Sequence, residues 1–309
     1  MKTVLIINHK VQNCGVYQIG KRIFNVMAPS HEVKYFYKEV TSYEEYKDAI
    51  KEIMPNYVLY NYYNYTMSWL TPDILHKTKP QKHLLIYHEK TASIIKNYDY
   101  YIFLGTPGDD HPIIDKTKCV LLPRPLLSYA GGYPRNNKFT VGSFGFGFWN
   151  KGMHTLTNIV NTKIPGAVLN LHIPNSYFGD PSGAVTDAVL TKCKAYAKKI
   201  TLNITREFLA EEQILAFLAT NDINIFNYDI QGTDGIASVI DYALSVKRPL
   251  ALTDCAMFRH IKMNDILLEK NSIMDIYNKG VAPLEPFYSQ WAPNIFRTEM
   301  NKLFLRIPA

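Results

Sequence analysis

The segment 232–244 contains the residue types needed to hold an anion: glycines, a hydroxyl and a carboxylate. The pattern around it predicts that a strand ends before the segment and that a helix begins within it. Free N–H groups at a helix start bind anions, and Gly235 would let a phosphate approach the backbone closely. Ser238 adds a hydroxyl donor, and the Asp241 carboxylate could accept hydrogen bonds from ribose hydroxyls. The same residues also fit a plain helix start, with Asp234 as its cap and Asp241 solvated.

A second glycine-rich stretch, Val141 to Gly152, follows the first predicted strand of the second half of the chain. Its glycines, Gly145 among them, open a loop at the carboxyl edge of the predicted sheet. Lys151 lies at the predicted start of the next helix, where the helix dipole does not favour a cation. A bound anion would explain a lysine there, although surface lysines are common. The spacing matches neither the dinucleotide fingerprint nor the P-loop, which argues against a nucleotide hydrolase.

Two segments of the first half also place reactive residues after predicted strands. Gly15 permits close backbone approach at the start of the first helix, or it is a simple turn glycine. His88 could hydrogen-bond a sugar hydroxyl or a developing charge, with Glu89 as a possible base. The alternative is a histidine held by the local backbone. The run Gly108 to His111 resembles a hard-cation site only weakly, so we predict a polar turn there and no metal ligands.

The composition limits the classes of protein that the chain can belong to. Of its 309 residues 47% are apolar and 20% are charged, so the chain can pack a core and is not disordered. No apolar run is long enough to cross a bilayer, and no signal peptide is evident, so we expect a cytoplasmic protein. The net charge of +7 favours anionic partners such as nucleotide diphosphates or nucleic acid, or it has no specific purpose. The four cysteines form no CxxC pair, so a zinc ribbon is not indicated.

These candidate segments are positioned by alternating strands and helices, which predict a mostly parallel sheet in each half of the chain. A segment rich in Gly, Pro and Asn, 127–137, marks a linker between the halves. The final stretch, Pro286 to Leu303, predicts a separate amphipathic helix. The predicted strands are 3–8, 31–37, 57–60, 83–87, 100–104, 119–122, 139–144, 167–172, 200–203, 223–226 and 249–252, and the other predicted helices are 16–27, 42–54, 151–160, 208–219 and 237–246.

The order of these motifs resembles that of a GT-B glycosyltransferase, and more closely that of the retaining family 4, or group 1, transferases. The loop at Gly15 resembles the family's first glycine loop, and His88 resembles its strand-end histidine. Lys151 with the glycine after it resembles the pair that opens the donor domain. The segment 235–249 resembles the C-terminal signature, in which a glycine-rich turn leads to an acidic residue and an alanine-containing helix. The resemblance spans almost the whole chain.

The resemblance implies an α/β fold of two Rossmann-like domains facing each other across a cleft. Residues 1–135 would form the N-terminal, acceptor-side domain. Residues 136–285 would form the domain that binds the nucleotide sugar. Residues 286–309 would form a helix that crosses back to the first domain.

The resemblance also implies a function: transfer of a sugar, a hexose or a pentose, from a nucleotide-sugar donor to a hydroxyl acceptor, with retention and without a metal or other cofactor. Lys151 and backbone amides would stabilise the leaving diphosphate, Asp241 would hold the ribose, and His88 would contact the sugar or assist at the reacting centre. The implied catalytic residues are His88, Lys151 and Glu89, and the implied donor-binding residues are Gly15, Gly145, Lys151, Gly235, Ile236, Ala237, Ser238 and Asp241.

Two departures from the family pattern leave other functions open. The first glutamate of the signature is absent and its position falls near Thr233 or Asp234; the arginine that accompanies the lysine is also absent, and Arg259 could compensate. The acceptor could be a glycan, a lipid-linked glycan or DNA, since a phage-type transferase that modifies hydroxymethylated bases would suit the positive charge. A non-catalytic nucleotide-sugar-binding protein is the third hypothesis.

Overall fold

The computed structural model describes residues 1–77, 81–88, 98–105, 115–176, 179–229 and 235–308. The chain forms two compact units: unit 1 comprises Met1–Pro125 and Ser289–Ala309, and unit 2 comprises Leu126–Tyr288. The linker therefore belongs to unit 2, whereas the sequence assigned residues up to 135 to the first domain. The backbone N–H of Leu127 donates to Ser245 Oγ at 2.9 Å, which ties the linker to that unit. None of the described helices is both long and apolar enough to cross a membrane.

Unit 1 contains a six-stranded sheet in which every neighbouring pair of strands is parallel. The strand order is β2-β1-β3-β4-β5-β6. The strands are β1 (Lys2–Asn8), β2 (Val33–Glu39), β3 (Tyr57–Asn61), β4 (Lys82–Tyr87), β5 (Tyr100–Leu104) and β6 (Cys119–Leu122). The order reverses at β1, because the chain first adds β2 on one side of it and then β3 on the other.

The central strand β1 is apolar along most of its length because both of its faces are covered. Val4 and Ile6 pack into one core cluster, whereas Leu5 and Ile7 pack into the cluster on the opposite face. All four side chains are fully buried. A continuous apolar run of this kind is typical of a parallel sheet with helices on both sides, as the sequence predicted.

The helices of unit 1 are α1 (Gly15–Met27), α2 (Tyr43–Ile53), α3 (Pro72–Lys77) and, at the end of the chain, α10 (Pro293–Arg306). The single terminal helix predicted over 286–303 is wrong: the segment forms α9 (Glu285–Gln290) and then α10. Pro293 begins α10, and the residue before it is extended (φ −58°, ψ 141°), as the ring of a following proline requires. Phe296 and Phe304 of α10 pack into the same core cluster as α1.

Unit 2 contains a five-stranded parallel sheet with the order β11-β10-β7-β8-β9. The strands are β7 (Thr140–Phe144), β8 (Val168–His172), β9 (Thr201–Thr205), β10 (Ile223–Phe226) and β11 (Leu250–Leu252), and the helices are α4 (Met153–Lys163), α5 (Ala184–Tyr196), α6 (Glu211–Ala219), α7 (Val239–Ser245) and α8 (Ile273–Lys279). Two α/β units with parallel sheets confirm the predicted fold class. The strand order of unit 2 reverses between β7 and β10.

Two helices of unit 2, α5 and α8, were not predicted, although both carry a sequence signal. The buried residues of α5 follow helical spacing, but polar Thr186 and small Cys193 interrupt the apolar pattern. Helix α8 begins with a capping box, in which Ser272 and Asp275 exchange side-chain to backbone hydrogen bonds. The short helix α3 was also missed.

The first residues of the chain hold the last helix in place through a charge contact. Lys2 Nζ donates to the backbone carbonyls of Phe304, Leu305 and Ile307 at 3.0, 3.1 and 2.6 Å. The carbonyls at the end of a helix have no partners within the helix, and a cation there also interacts favourably with the helix dipole. Tyr57 Oη donates to the same Ile307 carbonyl at 2.6 Å.

Replacing this cation should therefore lower the stability of unit 1. We expect Lys2→Met to lower the free energy of unfolding by about 1–2 kcal/mol, because up to three charge-assisted hydrogen bonds at a helix C-terminus are lost. Urea denaturation followed by circular dichroism measures the change. Lys302→Met is the control: this exposed lysine of α10 forms a surface ion pair with Glu299, so its loss should change stability by less than about 0.5 kcal/mol. Equal losses in the two variants would contradict the role of Lys2.

Candidate functional site

The candidate donor-binding residues of unit 2 lie where its strand order reverses. In open parallel sheets, ligands bind outside the carboxyl ends of the strands at such a reversal, because the two connections there leave in opposite directions. Strands β7 and β10 are neighbours at this point. The loop after β7 contains Gly145 and Lys151, and the loop after β10 begins at Asn227. The two loops are joined by the bond from the Asp229 N–H to the Asn150 carbonyl, 2.9 Å.

The glycines of the β7 loop are needed because the two loops approach so closely. Gly145 has a φ of +147°, and a Cβ there would lie 3.3 Å from Tyr228 Oη. Gly152 has a φ of +64°, and a Cβ there would lie 1.8 Å from the Asn227 carbonyl oxygen. Both positions require glycine for backbone conformation, and Gly152 also requires it for space.

Lys151 is partly buried between two side chains that carry no charge. Its ammonium group lies 4.0 Å from the centre of the Tyr228 ring and 3.7 Å from Met257 Sδ. Among the described residues it forms no ion pair with a carboxylate. Burial lowers the pKa of Lys151 from 10.5 to about 8, and the neighbouring Cys255 opposes part of this shift. Lys151 is the last residue of a 3-10 turn (Trp149–Lys151), so it precedes α4 and is not at the helix start predicted for it.

The segment from Gly235 to Ser238 reaches the same region through Met257. The Ala237 N–H donates to the Met257 carbonyl at 3.0 Å, so this amide is already engaged and is not open to a phosphate. Helix α7 begins at Val239, later than the predicted position 237. Gly235, Ile236 and Ser238 are partly exposed, and Asp241 is fully buried within α7. Gly145, Lys151 and this segment are therefore brought together around Tyr228 and Met257.

Arg259, the arginine that could compensate, contacts the segment from Gly235 to Ser238. Arg259 Nη1 donates to the Gly235 carbonyl at 2.7 Å and to the Ala256 carbonyl at 3.0 Å. It is largely exposed. Arg259 thus fixes the approach to α7 and brings a positive charge to the segment that carries the proposed signature.

Unit 1 has its own reversal of strand order, between β1 and β3, and two asparagines bridge it. Asn8 is the last residue of β1, and Asn61 is the last residue of β3. Asn61 Nδ2 donates to Asn8 Oδ1 at 2.8 Å and to the carbonyl of Val16, near the start of α1, at 2.6 Å. Both side chains are fully buried. Gly20 of α1 packs directly on the pair, since a Cβ there would lie 2.3 Å from Asn61 Nδ2.

His88 follows β4 and joins this pair. Its Nε2 lies 2.7 Å from Asn61 Oδ1, and it makes no other hydrogen bond within the described part of the chain. Burial, followed by the charges of Arg124 and His9, lowers the pKa of His88 to about 3. His9 follows β1, and burial lowers its pKa to about 4 although Glu39 acts in the opposite direction. Both imidazoles are therefore neutral near pH 7.

The remaining predicted site residues are placed as follows. Gly15 begins α1 and is exposed. It is one residue from Val16, whose carbonyl binds Asn61, so it lies near the His88 network. Glu89 falls outside the described residues, as do Thr233 and Asp234. Over the described ranges, no group of three or more His, Cys, Asp or Glu side chains could hold a metal ion.

The sequence analysis missed four residues of these sites: Asn8, Asn61, Tyr228 and Met257. Asn8 and Asn61 carried a signal, because each is a polar residue at the carboxyl end of an apolar strand. Tyr228 follows β10 by two residues and could have been found in the same way. No sequence signal pointed to Met257, because its position depends on how the chain folds after β11.

Comparison with known proteins gives a similarity of fold. The sequence matches no protein-family model, and no curated protein sequence matches it. The structure of HepE from Anabaena, which holds UDP and glucose, is 9% identical with a TM-score of 0.69 and covers 99% of this chain and 100% of its own. Sucrose-phosphate synthase from Thermosynechococcus elongatus is 13% identical with a TM-score of 0.74 and covers 99% of each chain. A glycosyltransferase from Rickettsia africae is 13% identical with a TM-score of 0.68, again over 99% of each chain. The chain has the fold of GT-B glycosyltransferases.

The contact between Gly152 and Asn227 gives a test of how unit 2 is built. We expect Gly152→Ala to lower the free energy of unfolding by about 3 kcal/mol or more, because the new methyl group collides with a backbone carbonyl. Gly166→Ala is the matched control, since Gly166 also has a positive φ (+86°) but has nothing within 4 Å of the added Cβ. It should lower stability by only about 1 kcal/mol, from backbone strain alone. Urea denaturation measures both, and similar losses would show that the loops are not in close contact.

The burial of Lys151 predicts how the stability of the chain changes with pH. The folded chain releases the Lys151 proton near pH 8 and the unfolded chain near 10.5, so the unfolded state binds more protons between these values and stability rises with pH there. At pH 7 we expect Lys151→Met to be more stable than the native chain by about 2 kcal/mol. This advantage should shrink as the pH rises from 8 to 10.5. Lys163→Met, at an exposed lysine of α4, should show no such dependence in the same denaturation series.

Proposed function

We propose that the protein is a glycosyltransferase that transfers a sugar from a nucleotide-sugar donor to a hydroxyl acceptor. In the proposed reaction the bond between the anomeric carbon and the diphosphate oxygen breaks. The acceptor oxygen bonds to the anomeric carbon, and the acceptor proton is released. The fold shared with glycosyltransferases supports this class of reaction, and the residues at each strand reversal are the candidates for its chemistry.

The observation that carries the proposal is the charge of Lys151, which forms no ion pair with any carboxylate of the described residues. A buried cation without a carboxylate partner lowers stability, so a fold retains it where it meets an anion that is present only during function. The diphosphate of a nucleotide sugar gains negative charge as the sugar leaves. A preorganised ammonium group stabilises that charge in place of a divalent metal. We therefore propose a metal-independent transfer, in which EDTA leaves turnover unchanged.

The other roles follow from position. Gly145 places no side chain beside Tyr228, where we propose that the phosphates lie. The proposed donors to them are the Ser238 hydroxyl and those backbone amides from Gly235 to Ser238 that form no hydrogen bond within the described residues, which excludes the amide of Ala237. We propose Asp241 as the ribose ligand, as the motif order implies. The same resemblance implies retention at the anomeric carbon, which the anomeric coupling constant of the product tests by NMR.

In unit 1 we propose that His88 contacts a hydroxyl of the sugar. A neutral imidazole can exchange hydrogen bonds with a hydroxyl group without holding a full charge in a partly buried place. Gly15, at the start of α1 beside the same network, leaves the backbone open to a ligand. The acceptor is a hydroxyl compound, and a glycan and a hydroxymethylated DNA base are the two candidates to assay.

The test begins with a screen for donors. Thermal-shift measurements with UDP-, GDP-, ADP- and CMP-sugars should give a rise in Tm with one nucleotide, because a ligand that binds only the folded state stabilises it. UDP-glucose is the first probe.

With the donor saturating, Lys151→Ala should lower turnover by ~10²-fold or more, because the charge that it supplies matters most in the transition state. Lys163→Ala is the matched control and should leave turnover unchanged.

Three outcomes would contradict the proposal. Unchanged turnover in Lys151→Ala would remove the lysine from the reaction. Binding of a nucleotide sugar without hydrolysis or transfer to any acceptor would indicate a binding protein instead of an enzyme. A chain that binds none of the four classes of donor is not a nucleotide-sugar transferase.

A further inference from the structure

The two asparagines of unit 1 have amide orientations that hydrogen-bond chemistry fixes. The carbonyl of Val16 can only accept a hydrogen bond, so the Asn61 atom 2.6 Å from it must be the NH₂ group. The carbonyl of Tyr17 fixes Asn8 in the same way, at 2.9 Å from Nδ2. Asn8 Oδ1 then accepts from the backbone N–H of His9 at 3.0 Å and from Asn61 at 2.8 Å. Neither amide can be reversed without losing bonds.

The orientation of Asn61 fixes the proton of His88. Since both hydrogens of Asn61 Nδ2 are used, the atom that faces His88 is the carbonyl oxygen Oδ1, which only accepts. The 2.7 Å contact is a hydrogen bond only if His88 Nε2 carries the proton. In a neutral imidazole the other nitrogen, Nδ1, then has a lone pair and no proton.

The network is anchored at its far end by a carboxylate. Asn8 Nδ2 donates to Tyr37 Oη at 2.9 Å, so Tyr37 gives its own proton to Glu39 Oε1, 3.1 Å away. Tyr17 Oη donates to the same oxygen at 2.7 Å. The bonds that link Asn61, Asn8, Tyr37 and Glu39 therefore all donate in the same direction, from Asn61 toward Glu39.

We propose that Asn61 is a positioning residue, which holds His88 as the neutral Nε2–H tautomer so that Nδ1 accepts a hydrogen bond from a hydroxyl of the substrate. The substrate contact rests on the proposed function, whereas the tautomer does not. An acceptor nitrogen favours a sugar that presents a hydroxyl group. It disfavours a sugar that presents a carboxylate at the same place, because two acceptors with no proton between them repel each other.

The first experiment reads the tautomer and needs no turnover. Long-range ¹H–¹⁵N NMR of the full chain labelled at histidine gives the protonation of each ring nitrogen, and the His88→Gln variant identifies the signals of His88 among the nine histidines. We expect a single neutral Nε2–H form between pH 5 and 8, with a slowly exchanging Nε2 proton. A proton on Nδ1, or a charged His88 at pH 6, would overturn the proposal whatever the enzyme assays give.

Asn61→Ala tests whether Asn61 is the cause. Without Oδ1 the Nε2 proton should exchange faster with water, and the second tautomer should become visible. Asn64→Ala is the matched control: Asn64 lies three residues further on, and within the described residues its Oδ1 accepts only from the Tyr65 N–H. It should leave the His88 signals as they are. An unchanged His88 in Asn61→Ala would remove Asn61 from this role.

Asn61→Asp connects the tautomer to the reaction. A carboxylate at this position should favour imidazolium and raise the pKa of His88 against the opposing effects of burial and the charge of Arg124. Because imidazolium has no acceptor nitrogen, turnover should fall by ~10-fold as the pH decreases from 8 to 5, an acid limb that the native chain lacks.

UDP-glucose should be preferred to UDP-glucuronate by the native chain, and less so by Asn61→Ala. If Asn61→Asp raises the pKa of His88 but leaves the pH profile of turnover unchanged, His88 does not contact the substrate. The tautomer assignment would still hold. Should Asn61→Asp fail to fold, the Asn61→Ala preference decides the same point.

Discussion

The reversal of strand order in each parallel sheet is the constraint on which both sites depend. Where the connections leave the sheet in opposite directions, loops and polar side chains meet at the carboxyl ends of the two strands. In unit 2 this brings the β7 loop against the β10 loop, with glycine required at positions 145 and 152. In unit 1 it leaves Asn8 and Asn61 as the bridge between β1 and β3. The strand order therefore determines where both sites lie in the fold.

The sites at the two reversals differ in the charge of their central side chain. Unit 2 holds a cation against a π face and a thioether, with no ion pair to a carboxylate in the described part of the chain, and burial lowers the pKa of this cation. Desolvation of this ammonium group lowers the stability of the fold, and we propose that a bound anion offsets the loss. Unit 1 holds an uncharged imidazole through one nitrogen, which donates to Asn61 Oδ1 within a network of buried amides. The two sites thus differ in charge: one presents an ammonium group and the other a neutral ring.

Much of this could be predicted from the sequence, and the rest could not for identifiable reasons. The buried strands were predictable because continuous apolar runs such as Val4 to Ile7 occur where both faces of a sheet are covered. Gly145, Lys151 and His88 were predictable because they follow such strands. Helix α5 was missed since Thr186 and Cys193 hide its buried stripe, and the terminal helix was drawn too long because Pro293 was not taken as a helix start. Met257 and the engaged amide of Ala237 depend on tertiary contacts that local patterns do not contain.

The choice of an amide rather than a carboxylate beside His88 has a chemical meaning. Where a histidine must gain a proton during a reaction, a carboxylate on its second nitrogen stabilises the imidazolium that forms. Asn61 gives the same orientation without that stabilisation, while burial and the charge of Arg124 act against protonation. A histidine held in this way is a poor general base, since the product of proton transfer would be an unstabilised cation. It is well suited to accept a hydrogen bond and remain neutral, so the geometry of unit 1 favours substrate orientation over proton transfer as the role of His88.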